Sequence, residues 1–374
     1  MSTTAVPWSS RGQQLVDPTW SSPENVSASP GRAINPALLA GADGVVHLLW
    51  EESNRVYHAM RREDVWSAPR PISTGQRPAA GLAPDGTLHV VFSNEFSSRY
   101  NIFYVAWNNG VWTLPRLVSK TPGTSLFPAL AVDRAGVVHA AWADTSPGFS
   151  VIYHGWLEST WLNEPLSNAR GSAPVMTVDG ALNELHVAYQ AAGISSSARD
   201  IFHLQGQGYA WSLPENISLS SDNESLGVAM ACAPDGSTHL AWQEHVGSKA
   251  HIRYVSGQQN LWSAPLAISD LAVDAREPAL VVTQGRMVSA AWREADALTY
   301  RRRELAWDEW TRASQLVSNP LGMGGPVLAG SPGGEINLAW SGWSPGSERD
   351  IFFSQHGPLM RPKVFLPGVV VGGN

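Results

Sequence analysis

The chain has 374 residues with a formal net charge of -7, and only 15% of its residues are charged, with arginine far outnumbering lysine. It carries no long basic run, which argues against duplex nucleic acid as a partner. A single cysteine, Cys232, excludes an internal disulfide framework and any multi-cysteine zinc site.

The N-terminal stretch "MSTTAVPWSSRGQQ" lacks the basic start and apolar centre of a secretory leader. No apolar run reaches the ~18 residues of a membrane-spanning helix. The first strand-like phrase is "WSSPENVS" at 20–27, and its pattern, W-S-x-P-x-x-I/V-S, returns along the chain. The anchoring tryptophans are Trp20, Trp66, Trp112, Trp161, Trp211, Trp262 and Trp310, at spacings of 46, 46, 49, 50, 51 and 48 residues. Between anchors the order is constant: a "P-A-L-A" run, an Asp/Gly turn, an alternating run ending in an aromatic, a loop, and a short "I-Y" or "I-F" run. The third unit shows it in "FPALAV" (127–132), "GVVHAAW" (136–142) and "SVIYHGW" (150–156). Each unit therefore holds four short runs of β character, rich in Val, Ile, Tyr and Trp and bounded by turn formers. Cys232, in "VAMACAPDG", reads as a core thiol of one such run.

Seven units of this length and content predict an all-β fold, a seven-bladed β-propeller of four-stranded antiparallel blades. A solenoid of the same period would need polar caps, and neither end unit looks like one. The last unit has "PVLAG" (326–330), "EINLAW" (335–340) and "DIFFSQ" (350–355) but no W-S-x-P strand, whereas the chain begins with an orphan one. The expected organisation is an extension at 1–19, a propeller at 20–357 whose last blade is completed by 20–27, and a tail at 358–374. Ring closure also removes exposed sheet edges. The tail "RPKVFLPGVVVGGN" falls outside the repeat and is read as packing against the wall or as a protein contact segment.

Within the units, His47, His89, His139, His186 and His239 recur at one position, with Ser289 and Asn337 replacing them in units six and seven. Three residues later comes Trp50, Phe92, Trp142, Tyr189, Trp242, Trp292 or Trp340. Residues three apart on a strand face opposite sides, so histidine and aromatic serve different faces. The aromatics are expected to fill the spaces between blades, and the anchor tryptophans to cover the outer strand. Five equivalent histidines cannot converge on one reacting atom. They are read as structural, hydrogen-bonding backbone in the first hairpin of each blade. A metal would need three ligands in reach. No metal site and no cofactor are expected, and no loop has the dense carboxylates of a calcium site. The turn aspartates Asp43, Asp85, Asp133, Asp179 and Asp235 are assigned to backbone N–H groups.

Function is sought where the units differ, on the face carrying the longer and more varied loops. Arg32, Arg77, Arg170 and Arg276 each precede the innermost strand. Glu52, Asp144, Glu244 and Glu294 each follow the aromatic of their unit. Arginine grips carboxylate in a bidentate manner, so this set suits a sugar acid or an acidic peptide; salt bridges capping a channel are the structural alternative. Asn25, Asn216 and Asn223 fit the glycosylation acceptor pattern.

Over residues 20–357 the aromatic-anchored four-strand units with Asp/Gly turns resemble the sialidase-like, Asp-box-type propeller superfamily. "QRPA" and "REPA" echo its R-I-P start. The resemblance implies an arginine triad, a Tyr–Glu pair and an aspartate, but the turn "DRAGVVHAAW" lacks the Asp-box serine. Only Glu294 with Tyr300 offers a Tyr–Glu pair, so the catalytic set does not carry over residue by residue. Seven-bladed bacterial lectins are similar in architecture and in their tryptophan-rich repeats. The reading is a non-catalytic binding propeller that recognises a glycan or protein ligand at its variable face, in an extracellular or cell-surface setting. A sialidase-like hydrolase of carboxylated sugars and a structural or assembly component are the alternatives.

Overall fold

The computed structural model describes residues 14–15, 20–146, 151–157, 160–192, 198–207, 210–220, 222–259, 261–283, 287–304, 309–318 and 323–357. Its strands form seven antiparallel sheets, the blades of a β-propeller. The innermost strands are Ala33–Ala40, Gln76–Leu82, Ser125–Val132, Ser172–Val178, Glu224–Cys232, Ala275–Val282 and Val327–Gly330. Among the described residues no helix is long and apolar enough to cross a membrane.

The recurring W-S-x-P-x-x-I/V-S phrase is explained by the outermost strand. Proline cannot donate to a ladder and interrupts it, so blade 1 pairs its third strand with two short pieces, Val65–Trp66 and Arg70–Thr74. The serines on either side repair the gap. Ser67 Oγ accepts the Met60 N–H (3.1 Å) and Thr113 Oγ1 the Ala106 N–H (2.9 Å). At the second serine, Ser119 Oγ accepts from Ile102 N (2.9 Å) and Ser269 Oγ from Ile252 N (2.9 Å). Hydroxyls replace missing backbone acceptors, which a buried ladder requires.

Closure follows the expected course. Glu24–Asn25 pair with Phe353 and Phe352 of the third strand of blade 7, and Trp20 bridges to His356. Asp350 binds this seam, accepting from Asn25 Nδ2 (2.9 Å) and Ser27 Oγ (2.7 Å). One addition was not read from the sequence: Gln14–Leu15 pair with Ser318 and Val317, adding a fifth strand to blade 6.

Seven apolar clusters each lie between two blades. Trp50 of blade 1 packs with Ala339 and Ile351 of blade 7, and Trp142 of blade 3 with Val91 and Ile102 of blade 2. Trp242, Trp292 and Trp340 are likewise fully buried wedges. The anchor tryptophans do not simply cover their own outer strand, as the sequence reading expected. Each presents its edge or face to an aromatic ring of the preceding blade: Trp112 to His58, Trp161 to Tyr104, Trp310 to Tyr254, Trp66 to Phe353 and, at the seam, Trp20 to Tyr300. Their centroid separations of 4.9–5.4 Å and near-perpendicular planes are the favourable edge-to-face geometry.

The histidines also find partners other than those expected. His47, His139 and His186 each lie 3.0–3.1 Å from a second histidine on the third strand, namely His58, His154 and His203. His89 and His239 meet the hydroxyls of Tyr104 (2.7 Å) and Tyr254 (2.6 Å), and Ser289 meets Tyr300 (3.1 Å). These are diagonal cross-strand pairs within a blade. Among the described residues only Asn337 of this set reaches hairpin backbone, donating to Ala329 O at 3.3 Å. Burial disfavours the imidazolium and holds His58 and His154 near 3, and His47 and His239 near 4. The turn aspartates behave as expected; Asp43, Asp85 and Asp235 each accept a backbone N–H two residues on. Cys232 is half-buried, its Sγ 3.5 Å from Thr238 Oγ1, and desolvation pushes the thiol up to about 12.

Candidate functional site

The site originates in an irregularity shared by six innermost strands. The register slips between Ile34 and Ala37, Gln76 and Ala79, Leu126 and Ala129, and at the equivalent places in blades 4, 5 and 6. At each bulge one residue takes a left-handed backbone: Asn35 (φ 52°), Arg77 (51°), Phe127 (55°), Ala173 (49°), Gly227 (60°) and Glu277 (56°). In five of the six blades proline follows, which favours extended backbone in the residue before it and makes this conformation less favourable still. Non-glycine residues held this way carry strain that the surrounding structure must offset, and such positions cluster at functional sites. Side chains one residue past the wedge aromatics hold the bulges from the preceding blade. Arg77 N donates to Glu51 Oε2 (3.1 Å), Gly227 N to Gln190 Oε1 (3.0 Å) and Glu277 N to Gln243 Oε1 (3.0 Å).

The bulge residues line a cavity of about 780 Å³ to which all seven blades contribute, so it lies on the ring axis. Its charged lining is Arg32, Arg77, Arg349, Glu51 and Glu277. Glu51 is engaged, accepting from Asn35 Nδ2 (2.7 Å) as well as Arg77 N, and Glu277 pairs with Arg293 at 3.3 Å. Among the described residues Arg32, Arg77 and Arg349 have no carboxylate partner. The Arg77 guanidinium lies 4.6 Å from the centroid of the Phe127 ring, a cation–π contact across two blades. Arg32 and Arg349 are backbone bridge partners; burial and the Arg32 charge lower the proton affinity of Arg349, opposed by the nearby Glu277 carboxylate, which makes no ion pair with it.

Of the residues proposed from sequence, Arg32 and Arg77 line this cavity, and among the other described ones none does. Arg276 is one residue before the bulge and pairs with Asp274 at 2.8 Å; Glu277 occupies the position equivalent to Arg77. Arg170 ends the outer strand Trp161–Arg170 of blade 3, and its side chain lies outside the described residues. The four carboxylates stand level with the starts of the innermost strands, at the loop end expected, but they do not reach the axis. Two residues after the aromatic, they share its side of the sheet. Asp144 is fully buried and accepts from Thr121 Oγ1 (2.5 Å), Ser125 Oγ (2.6 Å), Ser146 N (2.9 Å) and Ser146 Oγ. Glu52 is buried against Ser29 Oγ and Trp50 Nε1 (3.3 Å). Glu244 is buried and pairs with Arg253 at 2.7 Å, and Glu294 accepts from Thr299 Oγ1 at 2.8 Å. Tyr300 is buried, its hydroxyl on Ser289 and its ring against Trp20, so no Glu294–Tyr300 pair forms. No tyrosine lines the cavity among the described residues.

Sequence reasoning missed Glu51, Phe127, Glu277 and Arg349. The first three could have been found by aligning the units on the proline of "P-A-L" and on the residue after the wedge aromatic. Arg349 comes from the loop before the third strand of blade 7, which has no repeat register to read.

No protein-family profile and no curated protein matches the chain. Among solved structures, an ulvan lyase of polysaccharide lyase family PL25 superposes with a TM-score of 0.64 at 10% identity, over 88% of this chain and 94% of that one. The Aleuria aurantia lectin, solved with Fucα1-6GlcNAc, gives 0.51 at 11% identity over 79% and 98%. The intramolecular trans-sialidase of Ruminococcus gnavus gives 0.50 at 10% identity over 89% and 95%. The class this fold defines is the seven-bladed β-propeller of antiparallel blades. At these identities the likeness extends to the fold alone.

Proposed function

We propose that this chain is a non-catalytic binding propeller whose axial cavity takes a carboxylate-bearing glycan. The observation that carries the reading is the convergence of Arg32, Arg77 and Arg349, without acidic partners among the described residues, on one cavity of a chain with net charge -7. Elsewhere Arg253, Arg276 and Arg293 are each paired with a carboxylate. Arg32 and Arg77 are solvent-exposed and Arg349 is half-buried, so the cavity offers accessible guanidinium groups, and guanidinium matches carboxylate bidentately. The cavity volume is in the range of small-ligand sites. Both lining glutamates are already hydrogen-bonded, and the lining supplies no tyrosine, so the arrangement favours binding over glycoside hydrolysis.

The test is a glycan array followed by calorimetry with the best uronic-acid or sialic-acid ligand. Arg349→Ala and Arg77→Ala should each weaken binding at least tenfold and leave the melting temperature unchanged. Retention of full affinity in both variants, or binding restricted to neutral glycans, would refute the reading. Turnover of the bound glycan, lost in Glu51→Gln or Glu277→Gln, would transfer the site to the hydrolase alternative.

A further inference from the structure

On the face opposite the arginines, the hairpin turns between first and second strands come together, and the turn of blade 4 differs from the rest. In blades 1, 2 and 5 the turn aspartate stands four residues before the histidine, as in Asp43 and His47; in blade 4 it stands seven before, at Asp179 and His186. The longer turn carries Glu184. Asp179 is buried, and its carboxylate is oriented by the N–H groups of Ala181 (2.6 Å) and Leu182 (3.2 Å). His186 is 4% exposed; its Nδ1 lies 3.0 Å from His203 Nε2, and its Nε2 is buried with no hydrogen-bond partner. Asp179, Glu184 and His186 offer ligand atoms that all lie within 4.8 Å of one another. The three line a cavity of about 120 Å³ between blades 4 and 5. Among the described residues no other turn holds such a triplet. In blade 3 only Asp133 approaches His139, at 3.8 Å, and in blade 5 Ser237 Oγ lies 3.0 Å from His239 Nε2.

We propose that Asp179, Glu184 and His186 bind a divalent metal ion of the zinc class, with water completing its shell. A buried nitrogen with no partner, facing two carboxylates, is a donor set for a cation. The imidazole selects zinc-like ions over calcium and magnesium, which prefer oxygen ligands alone. With the Nδ1 proton donated to His203, the Nε2 lone pair faces the carboxylates, which is how a second imidazole orients a metal-bound one. The ion would neutralise both carboxylates and pin the longest first hairpin turn to the second strand of blade 4. The sequence reading expected no metal because it compared equivalent positions, and Glu184 enters through the longer turn.

The full chain, stripped with EDTA, is titrated with ZnCl2 by calorimetry and melted in its presence, with CaCl2 and MgCl2 in parallel. One zinc per chain is expected, with a melting temperature that rises with free zinc. Glu184→Gln should weaken zinc binding at least tenfold without altering the metal-free melting temperature, and His186→Asn, the residue type used by blade 7, should abolish it. If His186→Asn does not fold, Glu184→Gln decides alone. No zinc-dependent rise up to millimolar zinc, an equal response to calcium, or wild-type affinity in Glu184→Gln overturns the proposal.

Discussion

Lowering the pH from 7 to 5 should strip this propeller of most of its stability, and the buried imidazoles give the reason. His47 and His239 are held near 4, and His58 and His154 near 3, because burial excludes the charged ring. The unfolded rings titrate at the ordinary 6.5. Above that value both states are neutral and the rings contribute nothing. Below it the unfolded chain takes up protons that the folded chain refuses, so stability falls until the folded values are reached. At pH 5 each ring costs about 2 kcal/mol, and the four together about 8 kcal/mol. That rivals the ~5–15 kcal/mol stability of a whole domain. Asp144 and Asp350, whose hydroxyl and amide partners hold their carboxyls low, keep their contribution above 3.8 and lose it only further down. The interval from pH 7 to 5 therefore isolates the rings. Urea midpoints followed by tryptophan fluorescence at pH 7, 6 and 5 measure the loss. The double variant His58→Tyr/His154→Tyr copies the His–Tyr pairs of blades 2 and 5 and removes two titrating rings, so about 4 kcal/mol of the loss should disappear. Equal wild-type stability at pH 7 and 5, or an unchanged pH dependence in the variant, would refute the reasoning.

Asp144→Asn should cost about 2–3 kcal/mol in urea unfolding, since several donors lose a charged acceptor, and should leave ligand affinity at the axial cavity unchanged; a selective loss of affinity would return Asp144 to the site. Trp142→Ala should cost about 3–5 kcal/mol by opening the wedge between blades 2 and 3, with a cost under 1 kcal/mol showing that the wedge is not tightly packed. Removal of residues 1–27 should leave blade 7 without its outer strand and Asp350 without Asn25 and Ser27, giving a protein that elutes as aggregate on size exclusion. A monomer with the full-length melting temperature would show that closure contributes little.

The architecture was legible because its cause is repeated. The spacing of Trp20 to Trp310, the missing last W-S-x-P strand and the orphan first one all report the same seven-fold ring. Wedge residues such as Trp50 and Trp142 could be identified from strand alternation. The same alternation, applied two residues further, assigns Asp144 and Glu52 to the blade interfaces. Arg276 was misplaced for a different reason: the bulge inserts a residue, and a shift of one position changes which side chain faces the axis. The ring partners of the anchor tryptophans lie in the preceding blade and could not be read from a single unit.

The left-handed bulge separates the axial surface from the scaffold. Ala37, Ala79 and Ala129 resume the ladder after the irregularity whatever side chain precedes the proline. Positions 35, 77, 127, 173, 227 and 277 thus form a circular display apart from the wedges and seams, where exchange must respect the left-handed backbone and the contacts of Asn35 with Glu51 and of Glu277 with Arg293. Position 325 is the exception, since a Cβ there would come within 2.7 Å of Glu277 Cβ. A combinatorial library at the other six positions would vary the axial surface on a constant scaffold.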